Sequence, residues 1–298
     1  MKPGTYHGIV VPIISPVDEQ ERIDEPHLRK LTGHLIDGGV HGIFVNSTTG
    51  EGLCLREAEK HRALEIVIDQ VRGRIPVYAG VSDTATRRAL DNVHLAEDMG
   101  ADVLVAHAPF YFPPNDQSEL VSYFTTLAQA SHKPFMLYNI PFTTKASISL
   151  DTVQRLMQVE NIIGIKDSSV DYVYLMNLIC LKKSRPNWSI FIGKTHMWTA
   201  GILSGADGGL DGISNLIPGH CVRLYKAIQA QAPNVYDLQA EINEIFRVYE
   251  CKSFLGGIKV ALAYLGLCQP FTVAPTLPAS EEEKAKIKRI LEHFHLLP

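Results

Sequence analysis

The stretch "IIGIKDSS" at residues 162–169 ends an apolar run on a charged amine: Ile162, Ile163 and Ile165 precede Lys166, and Asp167 and two serines follow. An ammonium removed from water is disfavoured relative to the neutral amine. A neutral amine can add to a ketone and form a Schiff base, which acts as an electron sink for making or breaking the adjacent C–C bond. That chemistry needs a proton shuttle, and a phenol can serve. In "LYNIP", Tyr138 ends another apolar run, directly before Asn139. The chemistry also needs a cradle for a carboxylate or oxyanion. "VNSTTGEG" supplies Ser47, Thr48, Thr49 and Gly50, where glycine lets the backbone turn tightly and expose its N–H groups. "HAPFYFPP" adds Phe110 and Tyr111, and "DGGLDGISN" ends a further apolar run.

Each segment has an ordinary alternative reading. A lysine at a strand end is usually solvated, a tyrosine before Asn-Xaa-Pro is usually a packed aromatic, and Thr-Thr-Gly-Glu can be a helix N-cap. Their joint occurrence at the ends of different apolar runs favours chemistry over these alternatives.

The elements that must position them follow a rhythm. Strand-like runs are expected at Gly8–Pro12, Gly42–Val45, Pro76–Gly80, Asp102–Ala106, Pro134–Tyr138, Ile162–Lys166, Ser189–Gly193 and Gly208–Ile213. Helical periodicity lies between them; Leu28, Leu31, Leu35 and Ile36 share one face, as do Ala63, Leu64, Val67 and Val71. Eight tandem βα units predict an α/β fold, a (β/α)8 barrel, whose C-terminal strand ends carry the site. After residue 218 four helical stretches run in succession. This organisation predicts a barrel over 1–225 and a C-terminal helical extension over 226–298.

Composition sets further bounds. The 298 residues are 46% hydrophobic and 20% charged, with a formal net charge of −4. No Lys/Arg-rich run suggests a nucleic-acid surface, and no run of about 18 apolar residues suggests a membrane span. The first ten residues carry no signal-peptide pattern. Five widely spaced cysteines, an odd number with no CxxC pair, are expected to be reduced thiols in a cytoplasmic enzyme. "FIGKTH" has Trp188 where a P-loop needs glycine, so Lys194, Thr195 and His196 read as the end of a strand that could meet the distal substrate. No metal pattern stands out among the histidines.

The set "STTGE", "FY" after Ala-Pro, "YNIP" and "GIKDSS" resembles the motifs of the dihydrodipicolinate synthase / N-acetylneuraminate lyase family of class I pyruvate aldolases. The likeness covers nearly the whole chain, in family order. It implies a (β/α)8 barrel, a homotetramer built as a dimer of dimers, and no cofactor beyond a covalent Schiff base on Lys166. It also implies Tyr138 as proton shuttle, Thr48 and Thr49 on the 2-oxo acid carboxylate, and the Ile213 backbone near the pyruvate moiety. Tyr111 would enter a neighbouring subunit's site and complete a relay with Thr48 and Tyr138.

Two departures matter. Ser47 stands where the family has glycine. Thr143 stands where dihydrodipicolinate synthases carry an arginine for the carboxylate of aspartate semialdehyde, and threonine offers no bidentate charged contact. The expected partner of pyruvate is therefore a hydroxyl-rich aldehyde, as in 2-keto-3-deoxy sugar acid or sialic-acid-like substrates. Alternatives left open are 4-hydroxy-tetrahydrodipicolinate synthase, a 2-oxo acid dehydratase on the same scaffold and, least favoured, a non-enzymatic sugar-acid sensor.

Overall fold

A computed structural model describes residues 6–297. Eight strands close in chain order into a barrel: β1 (Gly8–Pro12), β2 (Gly42–Val45), β3 (Val77–Gly80), β4 (Val103–His107), β5 (Phe135–Asn139), β6 (Ile162–Asp167), β7 (Ser189–Ile192) and β8 (Gly208–Gly209). The strands are apolar because both faces are covered. Every residue of β1, β2, β4, β5 and β7 is buried, as continuous runs in parallel sheets require. A helix follows each strand, from Glu25–Asp37 after β1 to Pro218–Gln229 after β8. Asp24, Asp116, Ser149, Asp171, Ser253 and Ser280 each accept a backbone N–H at a helix start, satisfying a donor that the helix itself leaves open.

Contacts gather into two compact units, residues 6–10 with 76–211 and residues 11–75 with 212–297. Within the first, β3 to β8 pair in parallel. Gly164 in β6 is dictated by closeness: a Cβ there would come within 2.3 Å of the Ser189 carbonyl oxygen on β7. Trp188 and Trp198 are fully buried, and their indole N–H groups donate to the carbonyls of Ile162 and Ile192.

In the second unit, helices Val235–Ile245, Phe254–Tyr264 and Glu281–His293 extend the chain past the last barrel helix, and residue 225 falls inside that helix. The helix Val235–Ile245 tightens at its end into a 3-10 turn, Phe246–Tyr249. The eighth strand is shorter than the expected Gly208–Ile213. It ends at Gly209, and Gly212–Asn215 forms a 3-10 turn. The reason is Asn215. Its amide nitrogen donates to the Pro12 and Gly212 carbonyls at 2.9 Å each, and its oxygen accepts the Ile14 N–H at 3.0 Å, so the side chain replaces strand pairing there.

Cys54, Cys180, Cys221, Cys251 and Cys268 are free thiols. No helix among the described residues is long and apolar enough to cross a membrane.

Lys259, on the helix Phe254–Tyr264, pairs with Glu51, and their side chains are 0% and 1% exposed. Glu51 also accepts the Val273 N–H at 2.8 Å. A buried charge without its partner is costly, about 3–5 kcal/mol. Lys259→Met is therefore expected to lower the unfolding free energy by about that amount, and Glu51→Gln added to it should restore a large part. Equilibrium urea unfolding of Lys259→Met, Glu51→Gln and the double variant checks this; losses that simply add would show the two charges to be independent.

Candidate active site

The register of three neighbouring strands brings the predicted lysine and tyrosine together within the first unit. His107 in β4 lies opposite Tyr138 in β5, and Tyr138 opposite Lys166 in β6. In parallel strands, residues in register project to the same face. Lys166 and Tyr138 are 3% and 5% exposed. The Lys166 Nζ sits 3.9 Å from the centroid of the Tyr138 ring, so amine and phenol share one desolvated space.

The next residue along each strand points the other way and explains the rest of "KDSS". Asn139 is in register with Asp167. Its amide donates to Asp167 Oδ1 at 2.8 Å and accepts the Ile148 N–H at 3.1 Å. The Ser169 hydroxyl donates to Asp167 Oδ2 at 2.9 Å. Burial pushes the Asp167 carboxyl above its usual range, and the bonds from Asn139 and Ser169 oppose that. Backbone bonds from Ser168 to Asn139 and from Gly193 to Asp167 continue the ladder beyond the strands. Lys166 is thus held at a strand end whose outer face is pinned by three polar side chains, Asn139, Asp167 and Ser169. A cavity of about 450 Å³ on that outer face is lined by Asn139, Ile148, Ser169, Asp171 and Tyr174. It is formed by the groups that pin the strand, without Lys166 or Tyr138.

The turn after β2 is built within the second unit. Asn46 and Glu51 take left-handed backbone angles, φ 56° and 55°. Glu51 N–H donates to the Thr48 carbonyl, and Gly52 N–H to that of Ser47. Gly50 is required by space, because a Cβ would lie 2.7 Å from the Ile13 carbonyl oxygen. The hydroxyl of Ser47, a residue expected to bind substrate, accepts the Gly50 N–H at 3.2 Å and so helps form the turn. Thr48 and Thr49 are half-buried. Thr49 packs against Gly212, where an added Cβ would meet its methyl at 2.9 Å. Ile213 is fully buried in the 3-10 turn that Asn215 holds.

Two expected site residues are exposed. Tyr111 is 74% exposed, its ring 5.0 Å from that of Phe112. Thr143 lies exposed on the single helical turn Pro141–Thr144, and Lys145 caps that turn, its ammonium donating to the Phe142 carbonyl at 2.7 Å. Beyond β7, the Thr195 N–H and hydroxyl both donate to Asp211, at 2.7 and 2.5 Å. No group of three or more His, Cys, Asp or Glu side chains among the described residues could hold a metal ion.

Sequence reasoning missed His107, the framework pair Asn139–Asp167, and Asn215. The signal for His107 was available: it ends β4 as Tyr138 nearly ends β5. Asn139 and Asp167 are each one residue beyond an inward-facing group, and only pairing between strands brings them together.

A family model described as the dihydrodipicolinate synthetase family matches residues 5–294. A 4-hydroxy-tetrahydrodipicolinate synthase of Methanopyrus kandleri is 30% identical over 98% of this chain and 97% of its own length. An N-acetylneuraminate lyase of Escherichia coli is 25% identical over 97% of this chain and 94% of its own. Among solved structures, YagE of Escherichia coli, a prophage protein of the dihydrodipicolinic acid synthase family determined with pyruvate, superposes with a TM-score of 0.93 at 27% identity, covering 98% and 99% of the two chains. With the barrel, the motif order and these likenesses in agreement, the chain belongs to the dihydrodipicolinate synthetase family of class I pyruvate aldolases.

Proposed function

We propose that the protein is a Schiff-base lyase that joins pyruvate to an aldehyde or releases it. The observation that carries this reading is the buried Lys166 Nζ over the Tyr138 ring. The Lys166 amine adds to C2 of a 2-oxo acid and water leaves, giving an iminium. Cleavage of the C3–C4 bond then releases the aldehyde as the C4 hydroxyl gives up its proton through the Tyr138 hydroxyl, which passes its own proton on to water, and the electron pair moves into an enamine. Protonation at C3 and hydrolysis release pyruvate and regenerate the amine. In this reading Thr48 and Thr49 bind the carboxylate, within a turn shaped by Ser47 and Gly50. The Ile213 backbone borders the pyruvate moiety, and no metal or organic cofactor takes part.

The aldehyde is proposed to be hydroxyl-rich, as in a 2-keto-3-deoxy sugar acid or a sialic-acid-like substrate. The support is Thr143, a neutral exposed side chain where a carboxylate-binding arginine is needed for aspartate semialdehyde. The name of the Methanopyrus relative favours the alternative, 4-hydroxy-tetrahydrodipicolinate synthase. We place the enzyme in the cytoplasm as a homotetramer, a dimer of dimers with Tyr111 completing a neighbour's site. The exposed side chains of Tyr111, Phe112, Val170 and Val173, between 58% and 81% accessible, supply apolar surface for such contacts.

Borohydride reduction in the presence of pyruvate is expected to add one reduced pyruvyl group, located at Lys166 by peptide mass spectrometry and absent from Lys166→Ala. Tyr138→Phe should lower turnover by about 10²–10⁴-fold, the range for a lost proton-transfer group. An unlabelled wild-type protein would end the reading.

A screen of 2-keto-3-deoxy sugar acids and N-acetylneuraminate, with pyruvate release coupled to lactate dehydrogenase, should find a substrate preferred over the aspartate semialdehyde condensation. Thr143→Arg should shift that preference toward aspartate semialdehyde by roughly 10–100-fold in kcat/KM, the worth of one charge-assisted contact. Preference of the wild type for aspartate semialdehyde would decide for the alternative.

Sedimentation velocity is expected to give a tetramer. Tyr111→Phe should keep that assembly while reducing turnover; full activity in the variant would remove Tyr111 from the relay.

A further inference from the structure

Three titratable side chains, not two, share the layer around Lys166. His107 ends β4 in register with Tyr138 and is 8% exposed. Its ring lies 6.1 Å from the Tyr138 ring at an interplanar angle of 67°, and 5.9 Å from Phe110 at 64°. Tyr138 is thus held between Lys166 Nζ and the imidazole. The His107 ring is itself fixed. Nδ1 lies 2.8 Å from the Ala108 carbonyl oxygen, which only accepts, so Nδ1 carries the proton and Nε2 the lone pair in the neutral ring. Its backbone N–H donates to the Ser82 hydroxyl at 2.8 Å. Burial, opposed by the bond to the Ala108 carbonyl and helped by the nearby Lys166, holds the imidazole below its ordinary pKa, so it stays neutral until the pH falls below the usual histidine range. The titratable groups beside it are Tyr138 on β5 and Lys166 on β6. Ser82, from the segment after β3, and Phe110 bring no charge, and the Asp83 carboxylate is engaged by Thr84 and Arg88.

We propose that His107 is a positioning residue of the Schiff-base site: a neutral imidazole that holds the Tyr138 ring in place and keeps an acceptor, rather than a second cation, beside Lys166. The inference rests on the Schiff-base reading above. Protonation of His107 puts a positive charge beside the Tyr138 hydroxyl through which the proton is relayed, opposing the arrival of a proton there. The residue therefore sets the acid limit of the proton-transfer step.

Exchange of the methyl protons of pyruvate in D2O, followed by proton NMR at saturating pyruvate, isolates that step without an aldehyde. The Lys166 amine adds to C2 and water leaves. A C3 proton then departs to form the enamine, and a deuteron returns to C3. The wild-type exchange rate is expected to show an acid limb with its midpoint below about 6.5, the ordinary imidazole value. His107→Leu and His107→Gln should both lose that limb. The leucine variant should exchange on the order of tenfold more slowly, less than the ~10²–10⁴ of a direct proton-transfer group. Its KM for pyruvate should stay within about twofold, and glutamine, which still accepts a hydrogen bond, should recover most of the rate. Should the leucine variant fail to fold, the glutamine variant carries the pH test alone. Folded variants that trap pyruvate on borohydride yet keep the wild-type rate and acid limb would overturn the role of His107 alone. A wild-type protein that traps no pyruvate would overturn the Schiff-base reading beneath it.

Discussion

The parallel register of β4, β5 and β6 is the constraint on which the site depends. Strand pairing sets Tyr138 level with Lys166 and His107 level with Tyr138. The period of two then sends Asn139 and Asp167 to the opposite face. A slip of one residue would exchange the faces, putting an amide and a carboxylate where the phenol and amine belong. The Asn139–Asp167–Ser169 network resists that slip, because each of its hydrogen bonds would be broken or left buried and unsatisfied. The dipeptide Lys-Asp in "GIKDSS" thus divides by face: lysine toward the Tyr138 ring, aspartate into the network that holds the strand end.

A similar division operates in the turn after β2. Thr48 and Thr49 are half-buried, while the flanking residues hold the backbone: the Ser47 hydroxyl accepts from Gly50, and Glu51 is locked by Lys259 and the Val273 N–H. The pair of charges is fully buried. Its desolvation makes it a weak source of net stability but a strong penalty against any arrangement that separates the partners. The helix bearing Lys259 therefore does more than extend the chain past the barrel; it fixes the residue next to Gly50 in the turn.

The architecture was largely legible from residue patterns. Strands buried on both faces read as unbroken apolar runs, and eight of them alternating with amphipathic helices leave few other topologies. Lys166 and Tyr138 stood out only jointly, as polar groups ending different apolar runs, since either alone has an ordinary reading. The shortened β8 was not, because Gly208–Ile213 has strand-like composition, while what ends the strand is a side-chain amide bonded to carbonyls up to 203 residues away. His107 does not stand out in the residue order, because its partner in the layer is 31 positions along the chain.

The amino-acid order by itself determined which groups are available: one amine and one phenol at the ends of buried runs, a hydroxyl-rich glycine turn, and a threonine in place of a carboxylate-binding arginine. These follow from composition and periodicity, which are local. Tertiary structure alone decided which groups meet. Nζ over the phenol ring, the imidazole against that ring, and the Glu51–Lys259 pair each join residues 28 or more positions apart. Such contacts depend on strand register and helix packing, which no local pattern encodes, because they are settled only when the closed sheet and its helices compete for the same buried space.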